Sequence, residues 1–128
     1  MKILLDSCVF LWLIDQHKNI PNKVKEQIIN PLNDVYLSSI SITEITIKTQ
    51  LGKLSIPEPY AEFLITQRRK HGISSLSLNE EDLLVLEKLP DIHSDPFDRL
   101  LICQAIQNKM SFATPDKKIH QYPINLIW

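Results

Sequence analysis

The stretch KILLDSCVFLWLI, residues 2–14, decides the class of fold. Its first four residues read as a short continuous apolar run, the signature of a strand buried on both faces. From Ser7 onward, Val9, Phe10, Leu13 and Ile14 recur at helical spacing, and Ser7 is suited to cap the helix that carries them. A buried strand that turns at once into a helix is the opening unit of an α/β layered fold. Asp6 falls at the junction. A carboxylate in that position is half-buried, and such a charge costs several kcal/mol unless it is paired or bound to a metal.

The rest of the chain repeats the alternation. Pro21 opens a helix that runs to Ile29, and Val35 to Ser38 form the next strand. The segment SISITEITIKTQLG predicts a helix from Ser41 to Leu51, stopped by Gly52. A helix starting near Pro57 and running to Lys70 buries Tyr60, Phe63 and Leu64. Ser74 to Leu78 is a strand, and NEEDLLVLEKL (79–89) a capped helix. Phe97 to Asn108 is a largely apolar and therefore central helix, and the strands Ser111 to Ala113 and Ile124 to Ile127 follow. The pattern implies a three-layer α/β/α arrangement around a mainly parallel sheet of four to five strands.

With 128 residues, 44% hydrophobic and 23% charged, the chain is expected to form one domain, residues 1–128, with a proper core. A formal charge of −1 gives no general attraction to nucleic acid or anionic membrane, so any nucleic-acid function must rest on local patches. Cys8 and Cys103 have neither metal-type spacing nor a disulfide framework, which points to a reducing cytoplasm. No signal peptide is expected, because Asp6 interrupts the apolar start. The longest apolar run, Cys8 to Ile14, is too short to span a bilayer.

Four acids deserve weighing together. Asp6 ends the first strand, and Asp116 lies just beyond the strand 111–113. If those strands are parallel, both acids stand outside their carboxyl ends, where open α/β sheets bind ligands. Glu44 and Asp98 each lie about one turn into a helix, and the path out of strand 35–38 brings Glu44 to the same edge. Each acid also has a structural reading. Ser41-x-x-Glu44 fits a capping box, and Glu44 stands four residues before Lys48, a routine ion pair. In HSDPFDRLL (93–101), Asp95 is a good N-cap ahead of Pro96, and Asp98 suits the macrodipole. Asp116 can start a helix after Thr114-Pro115. Clustered carboxylates repel and raise one another's pKa values, however, and a hard divalent cation relieves that repulsion.

Other groups are weaker candidates. His17, His71, His93 and His120 show no zinc-type spacing. Cys8 lacks a histidine partner and is assigned to the core. The basic run QRRKH (67–71) can touch phosphates or simply form a solvated helix face. Lys48, Arg99, Lys117 and Lys118 each lie within a turn of a proposed acid and can neutralise a phosphodiester or pair with the acids.

These segments resemble the PIN-domain ribonucleases, specifically the VapC-like toxins of type II toxin–antitoxin systems. The resemblance is carried by ILLDSCVFLWL, LSSISITEITIKTQLGKL, HSDPFDRLLICQA and FATPDKKIHQYPINLIW, in that order and nearly end to end. It implies that Asp6, Glu44, Asp98 and Asp116 bind Mg²⁺ or Mn²⁺, one or two ions, and are the catalytic acids. Asp95 is assigned the cap, with a metal role as a weaker option. Ser7 and Thr114 stand where the family often has hydroxyls that orient water, and Lys48 and Arg99 are further positioning candidates. Cys8 replaces a frequent histidine, Thr43 a frequent tryptophan, and TPD the commoner TAD or TND. No carboxylate is lost by these departures.

The resemblance further implies hydrolysis of an RNA phosphodiester, a homodimer, and a cognate VapB-like antitoxin that blocks the site. Different classes remain as alternatives: a phospho-signalling receiver, or a PIN fold kept only for protein binding. A receiver needs paired acids near the first strand and a phosphoacceptor on the third, and neither is evident. A haloacid-type phosphatase needs Asp-x-Asp at the first strand, and position 8 is cysteine.

Overall fold

The computed structural model describes residues 1–15 and 18–128; His17, among the histidines considered above, lies outside them. Strands β1 (Lys2–Leu5), β2 (Asp34–Ser38), β3 (Ser74–Leu76), β4 (Ser111–Ala113) and β5 (Asn125–Ile127) form one sheet in the order β3-β2-β1-β4-β5. Every pairing is parallel, with Leu4 opposite Tyr36 on one side and Leu5 opposite Ala113 on the other. The sheet is therefore wholly parallel.

Among the described residues, five α-helices cross over between the strands: α1 (Ser7–Ile14), α2 (Asn22–Ile29), α3 (Ser39–Gln50), α4 (Tyr60–Lys70) and α5 (Pro96–Gln107). The period of two along each strand sorts the core into two layers. Ile3, Leu5, Val35 and Leu37 pack with Val9, Phe10, Val24, Ile45 and Leu64 from α1 to α4. Leu4, Tyr36 and Phe112 face the other way, onto Leu101, Ile102, Ile119 and Tyr122. Burial on both faces is why β1 reads as an unbroken apolar run. The result is the three-layer α/β/α sandwich expected from the sequence.

Some boundaries differ from the sequence reading, each for a local reason. Asp6, rather than Ser7, caps α1: its side chain accepts from the Ser7 N–H, and Ser7 is the first helical residue. Helix α3 begins at Ser39, two residues before the expected start. β2 ends at Ser38, and that serine caps the helix by accepting from the Ile40 N–H. Ser41 therefore lies inside α3, and no capping box joins it to Glu44. Helix α4 starts at Tyr60, after Pro59 and not near Pro57. The segment 79–89 forms two 3₁₀ stretches, Glu80–Leu84 and Leu86–Lys88, instead of one α-helix. Its Asp82 is buried and accepts from the Asn79 N–H and from Asn108 Nδ2, while Leu83 and Leu84 stay exposed. An α-helix would need an apolar stripe to bury, and these leucines have none.

Candidate metal centre

Strand order reverses at β1, whose neighbours β2 and β4 lead to opposite wings of the sheet. Such a switch point leaves a crevice outside the strands' carboxyl ends. Asp6 follows β1 directly, and Thr114, Pro115 and Asp116 follow β4 directly. Glu44 comes from the second turn of α3, and Asp95 and Asp98 from the start of α5. All five acids line one open cleft of about 330 Å³, with Ser7, Cys8, Leu11, Ile45, Lys48, Leu54 and Pro115.

The acids are held by specific donors. Asp6 accepts from the Ser7 N–H at 2.7 Å and from Thr114 Oγ1 at 2.6 Å. Thr114 is fully buried, and its Oγ1 also accepts from the Asp116 N–H at 3.1 Å, so one hydroxyl ties together the acids that follow β1 and β4. Ser7 Oγ donates to Glu44 Oε1 at 2.7 Å, and Lys48 Nζ lies 2.6 Å from Glu44 Oε2. Ser7 and Thr114 thus orient carboxylates directly, where the sequence reading gave them waters to orient. Asp95 Oδ1 accepts from the Phe97 N–H at 2.9 Å, which gives the residue its expected role as cap.

One residue at this cluster escaped the sequence reading. His93 Nε2 lies 3.0 Å from Asp98 Oδ2 and 2.9 Å from Asp116 Oδ2. No regular spacing announces this contact, because His93 sits on an irregular loop and reaches across 23 residues to Asp116. The available signal was its place two residues before the cap of α5.

Arg99 is not brought to the acids. Its guanidinium donates to the carbonyls of Pro90 and His93 and to the Tyr122 hydroxyl, strapping the loop before α5. The basic run 67–71 ends α4 just ahead of β3, and so lies toward the amino edge of the sheet, with Arg68 donating to the Ile73 carbonyl. Lys117 and Lys118 are exposed on the turn after Asp116. Cys8 is only half-buried, and burial followed by the nearby charges of Asp6 and Asp98 pushes its thiol up to about 12. It is not poised as a nucleophile.

Electrostatics sets these carboxylates apart from ordinary ones. Burial raises Asp98 to about 8, helped by the charges of Asp6, Asp95, Glu44 and Asp116. Burial also raises Asp6 to about 6, against the stabilising bonds from Thr114 and Ser7. At Asp116 burial pushes upward, but the bond from His93 and the N–H of Lys118 outweigh it and hold this carboxyl below its usual range. Lys48 is raised by its hydrogen bond to Glu44.

Glu44, Asp95 and Asp98 each offer an oxygen within 4.8 Å of the others, and His93, Asp98 and Asp116 form a second such group. The first group is all carboxylate, the donor set of a hard divalent cation such as Mg²⁺ or Mn²⁺. Asp98 belongs to both. The residues present fit such an ion, because a cation among Glu44, Asp95 and Asp98 would offset the burial of charge and the repulsion that together raise Asp98.

The PIN domain family model matches residues 3–125. Three solved structures share the fold across nearly the whole of both chains. VapBC2 from Rickettsia felis, bound to a DNA fragment from its promoter, has a TM-score of 0.76 at 16% identity, covering 100% of this chain and 99% of the other. VapBC-1 from nontypeable Haemophilus influenzae has a TM-score of 0.69 at 19% identity, with coverages of 99% and 97%. FitAcB from Neisseria gonorrhoeae has a TM-score of 0.64 at 18% identity, with coverages of 98% and 96%. No curated protein matches the sequence. No helix among the described residues is long and apolar enough to cross a membrane.

Proposed function

This chain belongs to the PIN domain family, and we propose that it is a divalent-metal-dependent endoribonuclease, the toxin of a type II toxin–antitoxin pair. The observation that carries the reading is the convergence of Asp6, Glu44, Asp95, Asp98 and Asp116 on one cleft at the switch point of the sheet. Structural similarity to VapBC complexes supports an antitoxin partner. A homodimer and a cytoplasmic location complete the proposal by family resemblance.

Asp6, Glu44 and Asp98 are the proposed metal-holding and catalytic acids, with Asp95 beside them. Asp116 belongs with them: it accepts from His93 and the Lys118 N–H, and one of its oxygens lies within 4.8 Å of one of Asp98. Mg²⁺ or Mn²⁺ bound there supplies an activated water and a counter-charge for the phosphate. Water adds to phosphorus and the bond to the 3′ oxygen breaks, which leaves a 5′-phosphate and a 3′-hydroxyl. The chain's own residues set the geometry. Ser7 and Thr114 fix the carboxylates of Glu44 and Asp6, and Lys48 is the cation nearest to where a phosphodiester would lie. Preorganised charge of this kind is usually the largest single contribution to catalysis.

Incubation of RNA with the purified chain and Mg²⁺ or Mn²⁺, beside EDTA and Asp98→Asn controls, tests the reading. Discrete fragments with 5′-phosphate ends, absent in both controls, are expected. Fragments that persist in EDTA and in the variant would refute it.

A further inference from the structure

His93 is held from every side. Its backbone N–H donates to the Tyr122 hydroxyl at 2.8 Å, and its carbonyl accepts from Arg99 Nη1 at 3.4 Å. Its ring Nδ1 accepts from the Asp95 N–H at 3.1 Å. A backbone amide can only donate, so Nδ1 must offer its lone pair and the ring proton sits on Nε2. Nε2 donates to Asp116 Oδ2 at 2.9 Å and lies 3.0 Å from Asp98 Oδ2, so it meets carboxylates from two different elements. The side chain is 11% exposed.

The orientation has two chemical consequences. To ligate a cation through Nε2, the ring would have to give up that proton, and Nδ1 cannot take it without losing the Asp95 N–H. Meanwhile Asp98 Oδ2 lies beside Nε2, whose hydrogen bond goes to Asp116. Asp95 and Asp98 each also offer an oxygen to the all-carboxylate group with Glu44.

We propose that His93 is a positioning residue of the metal centre: its Nε2–H donates to Asp116 and rests beside Asp98, holding the two carboxylates together, and it is not itself a ligand. This rests on the metal-dependent reading above and adds a residue to it. The clamp links the start of α5 to the turn after β4, the two parts of the site that no strand pairing joins. Its base is the Asp95 amide, so the cap of α5 and the orientation of the ring are set by one residue.

The test combines two measurements on the full chain. In ¹⁵N-labelled wild type, ring-nitrogen NMR reports which nitrogen carries the proton, without metal and with saturating Mg²⁺. Titration calorimetry with Mn²⁺ then compares wild type with His93→Leu and His93→Gln, after melting in EDTA shows that each is folded. The glutamine amide reaches as far as Nε2 and can donate there, whereas leucine cannot. The expected result is an Nε2 proton in both states, affinity lowered about 10–100-fold in His93→Leu, and restored to within a few-fold by glutamine. Loss of the Nε2 proton on Mg²⁺ addition would make His93 a ligand and overturn the proposal. So would unchanged affinity in the leucine variant, or equal loss in both variants. RNA cleavage by wild type, run in parallel, keeps the two readings apart. Intact RNA with the clamp present refutes the nuclease, and cleavage with the Nε2 proton lost refutes only the clamp.

Discussion

Replacing Asp98 by asparagine is predicted to stabilise the metal-free protein while abolishing its metal affinity. The folded-state pKa of Asp98 is raised from 3.8 to about 8. For an acid raised in this way, the sign runs against the usual carboxylate. Below pH 3.8 the group is neutral in both folded and unfolded states and has no cost. As pH rises toward 8 the unfolded chain ionises first, so the folded state loses up to ~1.4 kcal/mol per pH unit. Water in the open cleft screens much of this, which leaves a cost of about 2 kcal/mol at pH 7.5 and ~0.5 kcal/mol at pH 5. Asparagine removes the charge and keeps the shape of the side chain.

Urea denaturation in EDTA at both pH values measures the difference. Asp98→Asn should exceed wild type by about 2 kcal/mol at pH 7.5, roughly 5–10 °C in melting temperature, and by far less at pH 5. With Mg²⁺ at a hundred times its dissociation constant, wild type should gain ~2.7 kcal/mol and the variant almost nothing, which reverses the order. A variant less stable than wild type in EDTA at pH 7.5 would refute the reasoning. So would an advantage that is equal at the two pH values.

Further predictions follow from the same contacts. Thr114→Val removes a buried hydroxyl that serves both Asp6 and the Asp116 N–H; melting should show a loss of about 1–3 kcal/mol, and calorimetry a Mn²⁺ affinity lowered about 10–100-fold. Lys48→Met should reduce the salt dependence of RNA binding by about one phosphate contact, measured as the slope of affinity against salt in Ca²⁺, whereas Arg99→Met should leave that slope unchanged. Phe10→Ala, at a fully buried position between α1 and the sheet, should cost about 3–5 kcal/mol in denaturant unfolding.

Much of this site was legible because its parts hang on strong local signals. A buried run ending in Asp6, and a second strand ending in TPD, place two acids at one edge as soon as the strands are parallel, and β1 pairs with β4 in that way. What sequence could not give depends on tertiary partners. The serines at positions 38, 39 and 41 compete as cap of α3, and the pairing of Ser38 with Leu76 ends the strand there and decides for Ser38. Glu44 then falls too deep in α3 for a capping box, and its partners are Ser7 and Lys48. The apolar spacing of LLVLEKL suggests an α-helix, yet Asp82 is drawn into the core by Asn108 and the segment tightens to 3₁₀ turns. Arg99 stands next to Asp98 in sequence, but on a helix adjacent residues face different ways, and its side chain straps a loop. His93 carries no motif because its two carboxylate partners come from separate elements. Asp95 was read as a cap and is one; its closeness to Glu44 needed the fold.

The central claim is that the carboxylates at this edge gather a divalent cation around Asp98. Its most direct test is a crystal of the protein soaked in Mn²⁺, with anomalous scattering used to locate the ion. The account predicts a peak about 2.1 Å from oxygens of Asp98 and Glu44, with His93 Nε2 outside coordination distance. A peak coordinated by His93, or none among these acids at saturating Mn²⁺, would contradict it.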